Sequence, residues 1–366
     1  MKTSQRIQQM DTSGIRKVFA LAKDLKDPID LSIGQPDFLV PQNIKDAACH
    51  AIQQDNNRYA LTQGIDVLRE AVVLKLKNKN HISVQKENIL ITSAVSGGLS
   101  IALPCIIDHG DEVIIFDPYF VGYKQLILLY GGVPVCVKKN DDFSLNFETL
   151  EQAVTDKTRA IIFNTPENPT GHVSSRAEVE ALVDFARRHD LTVIADEIYE
   201  DFVYDGEHIS IGSLYDKTVT LGGFSKSHAI TGWRIGYLCA PDAFIQEMIK
   251  VQQYTFVCAP TPLQYAALEA LQTDMSHYVT QYKKKRDMVY DGLKDHYTMV
   301  RSDGAFYFFV AYPYDAETFI ARCMAHDLLV IPGNVFSVHN THFRISFATS
   351  DEKLRKAITI LKKIAR

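Results

Sequence analysis

From about Pro41 to Thr273 the chain alternates short runs of β-branched and other apolar residues with longer stretches of helical periodicity. The runs 89–92, 112–116, 160–164, 192–195, 218–221 and 235–238 predict strands, and most of the intervals between them carry an apolar stripe at the helical repeat. Nearly every position within these runs is apolar, as expected of strands covered by helices on both faces. The rhythm predicts an α/β fold with a mainly parallel, doubly wound sheet. Ligands of such sheets gather beyond the carboxyl ends of the strands, so the chemistry is expected in the segments that follow each run.

After Thr273 the pattern changes. A long charged helix passes through Lys283, Lys284, Lys285 and Arg286, strand-like runs follow at 304–311, 328–331 and 342–346, and a helix runs from Asp351 to the end. This reads as a smaller α+β unit. The first forty residues, helix-like over 15–25 and strand-like over 29–33, are too few to stand alone and are expected to complete it. The division is therefore a large domain over 43–272 and a small domain built from 1–42 and 273–366.

Composition narrows the function. With 46% apolar and 23% charged residues in 366, the chain can bury a sizeable core. Its net charge of −5, without a long single-sign run, lacks the basic footprint of a nucleic-acid binder. Cys49, Cys105, Cys136, Cys239, Cys258 and Cys323 are widely spaced, with no pairing that suggests a metal or a dithiol. No apolar run approaches bilayer length and residues 1–10 lack the apolar region of a signal peptide, so the expected place is the cytoplasm, away from membranes. Small-molecule chemistry is the remaining class.

The segment Leu221-Gly222-Gly223-Phe224-Ser225-Lys226 is a turn that presents one lysine, and Thr231-Gly232-Trp233-Arg234-Ile235-Gly236 follows it. A lysine at a strand end beside a cleft is placed for Schiff-base chemistry if its surroundings lower its pKa; a solvated turn lysine is the plain alternative. In Val193-Ile194-Ala195-Asp196-Glu197-Ile198-Tyr199, an acid ends a buried run, where its charge is costly unless a cation meets it. A protonated pyridine nitrogen is such a cation; a helix cap or a neighbouring arginine are the structural alternatives. The prolines of Asn164-Thr165-Pro166-Glu167-Asn168-Pro169-Thr170-Gly171 mark a turn, and a plain turn explains most such sequences; the stiff loop also fixes an amide donor, Asn168, suited to a ring oxygen. In Thr92-Ser93-Ala94-Val95-Ser96-Gly97-Gly98, a strand passes into a helix whose free N–H groups, with the Ser96 hydroxyl, suit a phosphate, although such small-residue turns are common without any ligand. The same stretch resembles the nucleophile elbow of α/β-hydrolases, with Ala94 in place of the first glycine, and Ser96, Asp196 and His342 fall in that chain order. That rival leaves Lys226, Arg234, Asn168 and Arg344 without roles.

Taken in order, Ile33-Gly34-Gln35-Pro36-Asp37-Phe38, Tyr59 with Thr62-Gln63-Gly64, Asn168-Pro169-Thr170-Gly171, Asp196-Glu197-Ile198-Tyr199, Ser225-Lys226 with Gly232-Trp233-Arg234-Ile235-Gly236, and His342-Phe343-Arg344-Ile345-Ser346 resemble the class I and II aminotransferases. These are fold-type I pyridoxal 5′-phosphate enzymes, and the resemblance runs almost end to end. It implies that Lys226 holds the cofactor as a Schiff base and then moves the substrate proton, while Asp196 keeps the pyridine nitrogen protonated. It implies that Tyr199 and Asn168 hydrogen-bond the ring oxygen. The phosphate would lie on Val95 and Ser96, beside Ser225, with charge from Arg234, and Tyr59 would reach it from a neighbouring subunit of a homodimer. Phe120 takes the place of the ring-stacking aromatic, although a core phenylalanine after a strand reads much the same. Arg344, helped by the Gly34 backbone, would bind the substrate α-carboxylate; a structural ion pair is the alternative for a buried arginine.

The sequence also departs from the family pattern. Gly223 stands where many aspartate aminotransferases carry a serine near the phosphate, and Ala94 stands where glycine is frequent. No arginine occurs between Arg234 and Arg286, where dicarboxylate-specific members place the one that binds the side-chain carboxylate. The expected activity is transfer of the amino group of an L-amino acid, aspartate or aromatic and broad-range, to a 2-oxo acid by a ping-pong mechanism, with 2-oxoglutarate as the family's default acceptor. A carbon–sulfur lyase on the same fold and a non-catalytic effector-binding domain stand as alternatives.

Overall fold

The computed structural model describes residues 3–12, 14 and 27–366. The helix expected over 15–25 lies outside the described residues. Twelve strands are described: β1 (Ile29–Asp30), β2 (Ile89–Thr92), β3 (Glu112–Asp117), β4 (Val133–Lys138), β5 (Thr158–Asn164), β6 (Thr192–Asp196), β7 (Thr218–Gly223), β8 (Gly236–Cys239), β9 (Tyr307–Ala311), β10 (Leu328–Leu329), β11 (Ile331–Pro332) and β12 (His342–Ser346).

Seven of them form one sheet in the order β2-β8-β7-β6-β5-β3-β4. The neighbours from β4 through β3, β5 and β6 to β7 are parallel, and β8 runs antiparallel to both β7 and β2. The near-continuous apolar runs have a simple cause. Alternate residues Ile114, Phe116, Ile161, Phe163, Val193 and Ala195 pack on one face with Val179, Leu182 and Phe185 of the Arg176–Arg188 helix. Their neighbours Val113, Ile115, Ile162, Ile194 and Leu221 pack on the other face with Leu99, Ala102 and Leu103 of the Ala94–Ile106 helix. Both faces are covered, so neither can be polar.

Several boundaries differ from the sequence reading. β4 was not expected, because Pro134 interrupts its pattern; it is tolerated at the sheet edge. β3, β6 and β7 extend to Asp117, Asp196 and Gly223 because backbone pairing continues past the last apolar residue. The run 328–331 splits, with β10 pairing parallel to β1 and β11 antiparallel to β12. β9 starts only at Tyr307, since Gly304 makes an isolated bridge with Val203 and Ala305 turns into positive φ. β11, β12 and β9 form a separate three-stranded sheet.

A buried charge network ties the strand ends to the Asp66–Lys75 helix. Asn80 Nδ2 donates to Glu197 Oε2 at 3.1 Å and Glu200 Oε2 at 2.7 Å, while Lys75 pairs with Glu200 and donates to the Tyr237 hydroxyl at 2.8 Å. His208 Nε2 lies 3.1 Å from Glu197 Oε2. Burial opposes protonation of His208, but Glu197, with Glu200 behind it, outweighs burial and raises its pKa. A raised folded pKa contributes stability in full below the unfolded histidine value of about 6.5 and loses it as pH rises through the folded value. His208→Gln is therefore expected to be less stable than the parent in acid, with the gap in unfolding midpoint narrowing as pH rises. A gap that stays constant with pH would show that His208 carries no charge in the fold.

Candidate active site

The strand register sets the site. Asn164 at the end of β5 is paired with Asp196 at the end of β6, and Asp196 with Leu221 in β7, five residues before Lys226. β12 brings Arg344 toward the same place, opposite Phe309 of β9. These ends open on a cavity of about 240 Å³. Gly34, Val95, Ser96, Phe120, Asn168, Asp196, Tyr199, Ser225, Lys226, Arg234 and Arg344, all singled out from the sequence, line it. Two larger clefts, of about 520 and 830 Å³, are lined by none of them. Tyr59 does not line the cavity and is 85% exposed.

Asp196 is buried, and its two oxygens accept from different donors: Oδ2 from the Tyr123 hydroxyl at 2.7 Å and Oδ1 from the Ile198 N–H at 3.2 Å. Burial pushes its pKa up to about 6, only partly countered by those donors and by the Lys226 charge. Such a carboxylate favours a cation brought against it. Lys226 donates from Nζ to the Gly34 carbonyl at 2.5 Å. Burial, reinforced by Arg344 and Arg234 and opposed by Asp196, lowers its pKa to about 8. With about a tenth of it neutral at pH 7, far more than for a solvated turn lysine, it is suited to act as a nucleophile and a base.

Arg344 is 1% exposed. Its Nη1 donates to Asn168 Oδ1 at 3.0 Å and its Nη2 to the Ser32 carbonyl at 2.6 Å, while Nε has no acceptor among the described residues. Its partners are neutral oxygens, so the structural ion pair envisaged from the sequence is not what holds it. A buried guanidinium so arranged suits an incoming carboxylate. The bond to Arg344 also turns the Nδ2 side of the Asn168 amide away from the guanidinium. The Tyr199 hydroxyl is shared with that of Tyr307 at 2.8 Å.

At the opposite end, the Ala94–Ile106 helix starts without a side-chain cap, leaving its first N–H groups free. Ala94 adopts φ +58°, and a Cβ on Gly236 would come within 3.0 Å of the Ala94 backbone, so a glycine there lets the turn close onto β8. The buried Ser225 Oγ has no partner among the described residues, and Arg234 reaches back to the Thr231 carbonyl at 2.9 Å. Free N–H groups, an orphaned hydroxyl and an arginine make a phosphate cradle. Together with an acid that seeks a cation and a low-pKa lysine, the residues present fit pyridoxal phosphate. The hydrolase arrangement does not form: His342 stacks on Phe309 at 4.9 Å, outside the cavity, and Asp196 bonds tyrosine instead.

Comparison with known proteins agrees. The model of the family "Aminotransferase class I and II" matches residues 26–361. The chain is 37% identical to the probable aspartate aminotransferase of Methanocaldococcus jannaschii, with 99% of each covered. It is 38% identical to aromatic-amino-acid aminotransferase 2 of Thermococcus litoralis, covering 100% of this chain and 99% of that one. The solved structure of aspartate aminotransferase from Thermus thermophilus with maleate superposes with a TM-score of 0.95 at 36% identity, over 100% of both chains. With a fold and cavity of this kind, the chain belongs to the class I and II aminotransferases. It is a pyridoxal-phosphate-dependent enzyme of that family.

Sequence reasoning missed Tyr123, Asn164 and Tyr307. Tyr123 lies one helical turn beyond Phe120 and edges its ring at 5.4 Å, and Asn164 Nδ2 donates to the Asp196 carbonyl at 2.8 Å. The spacing of Phe120 and Tyr123 was a usable signal; nothing in the sequence pointed to Tyr307 beyond its place in a strand. Tyr123→Phe removes a hydrogen bond to a charged group, so the dissociation constant for pyridoxal phosphate is expected to rise about tenfold or more. An unchanged constant, measured by fluorescence titration, would show that Asp196 does not depend on Tyr123.

Proposed function

We propose that Lys226, Asp196, Tyr199, Asn168 and Arg344 carry amino-group transfer from an L-amino acid to a 2-oxo acid, with 2-oxoglutarate as acceptor, in two half-reactions. The observation that carries this reading is a buried Arg344 held only by neutral oxygens, facing the same cavity as an amine with a pKa near 8. When bound, pyridoxal phosphate supplies an electron sink for charge developing on the substrate Cα. Asp196 holds a proton on the ring nitrogen, and Tyr123 keeps that carboxylate aimed. Tyr199 and the Nδ2 of Asn168 donate to the ring oxygen. Phe120 covers a ring face. Val95, Ser96, Ser225 and Arg234 anchor the phosphate. Arg344 binds the α-carboxylate, which orients the Cα–H toward Lys226, and the neutral Nζ takes that proton and returns it.

The donor is inferred to be aspartate or an aromatic amino acid. Relatives named for each are about equally similar, and the absence of arginine between Arg234 and Arg286 favours an aromatic or broad range. The enzyme is inferred to be a cytoplasmic homodimer, in which Tyr59 completes the partner's phosphate site. Tyr59, Leu61 and Tyr254 are 85%, 63% and 86% exposed, an apolar face suited to a second copy, and Thr261 Oγ1 fixes the Arg58 carbonyl beside it at 2.7 Å. Among the described residues no helix is long and apolar enough to cross a membrane. Residues 43–272 would form the cofactor-binding domain, with 1–42 and 273–366 as the smaller one.

Mixing the holoenzyme with Asp, Phe, Tyr or Met and 2-oxoglutarate is expected to yield glutamate from at least one donor. Lys226→Ala is expected to bind the cofactor yet lose turnover by several orders of magnitude, because Schiff-base exchange and proton transfer fail together. Parent-like turnover in that variant, or pyruvate and ammonia released from a sulfur amino acid without an acceptor, would contradict the reading.

A further inference from the structure

We infer that Tyr307 is a positioning residue for this reaction: its hydroxyl directs the proton of Tyr199 into the cavity, and its ring holds the plane of the Arg344 guanidinium. The inference rests on the roles proposed above for Tyr199 and Arg344.

Tyr307 is the first residue of β9 and fully buried. Its hydroxyl lies 2.8 Å from that of Tyr199, and both line the cavity. Burial raises the pKa of both phenols, so both keep their protons in the working range. Two hydroxyls that share one hydrogen bond have one hydrogen left to donate elsewhere. If Tyr307 donates to Tyr199, the Tyr199 hydrogen is free to meet an acceptor in the cavity. If the direction reverses, Tyr199 spends its only hydrogen on Tyr307 and has none for a ring oxygen.

The surroundings select the first arrangement. The Arg344 guanidinium carbon stands 4.6 Å from the centre of the Tyr307 ring. A cation against a phenol makes its O–H a stronger donor, and the Arg344 charge bears on Tyr307 ahead of Tyr199. The stronger acid of the pair donates. The hydroxyl packs close against Gly34, where a Cβ would come within 2.6 Å of it. The Gly34 carbonyl accepts from Lys226, so one short backbone segment touches both the base and the tyrosine pair.

The ring has a separate task. Arg344 lies against Tyr307 and Phe336, with its guanidinium carbon 4.6 Å from each ring centre. Stacking on flat faces fixes the guanidinium plane and leaves its N–H edge for a carboxylate.

Tyr307→Phe keeps the ring and removes the hydroxyl. In the holoenzyme, the pH midpoint of the cofactor's visible absorption change is expected to move up by about half to one unit, since one oriented hydrogen bond to the ring oxygen is weakened. The KM for the amino donor should stay within about twofold, because the stack on Arg344 remains. Tyr307→Leu removes both and is expected to add a rise in KM of about tenfold. An unmoved midpoint in the Phe variant would overturn the hydroxyl role, and an unchanged KM in the Leu variant would overturn the ring role. Tyr199→Phe separates this inference from its foundation. A shift in Tyr199→Phe without one in Tyr307→Phe removes Tyr307 alone, whereas no shift in either removes the role of Tyr199.

Discussion

The structure turns on a carboxylate placed where a carboxylate is expensive. Asp196 ends a strand buried on both faces, with its pKa raised to about 6 by that burial. The Tyr123 hydroxyl and the Ile198 N–H satisfy its oxygens without neutralising it. Groups arranged this way favour a positively charged ring held in one orientation. A ring held that way would put its phosphate toward the uncapped start of the Ala94–Ile106 helix and its ring oxygen toward Tyr199 and Asn168, which line the same cavity.

The second constraint is the opposite one, a buried cation. Arg344 belongs to the three-stranded sheet, whereas Asp196 and the Lys226 turn belong to the seven-stranded sheet. The cavity lies where the two sheets' residues meet. Desolvation, reinforced by Arg344, lowers the Lys226 pKa to about 8, so the residue suited to bind the carboxylate also helps the base to lose its proton. Binding of a carboxylate at Arg344 would offset that charge. The two tyrosines between these centres connect them through one hydroxyl pair.

Much of this was legible in the residues. Near-continuous apolar runs signalled strands covered on both sides, and Asn168, Asp196 and Lys226, which end or follow such runs, line one cavity because parallel strands present their carboxyl ends to one edge. His342–Ser346 was read with its observed bounds. What escaped depends on long-range geometry. β4 was hidden by Pro134, which an edge strand accepts and a central strand does not. Tyr123 and Tyr307 belong to no motif singled out in the sequence, and the packing of a helix and a distant strand shows their hydroxyls aimed at Asp196 and Tyr199. Tyr59 is legible as a motif, but one chain leaves it facing solvent.

The claim on which the rest depends is that Lys226 is the amine that carries the cofactor. Reduction of the holoenzyme with borohydride, followed by proteolysis and mass mapping, reads this directly. One added cofactor mass per chain is expected on the peptide that contains Lys226, and it is lost in Lys226→Ala. Label on another lysine, or no stable label in cofactor-loaded protein, would contradict it.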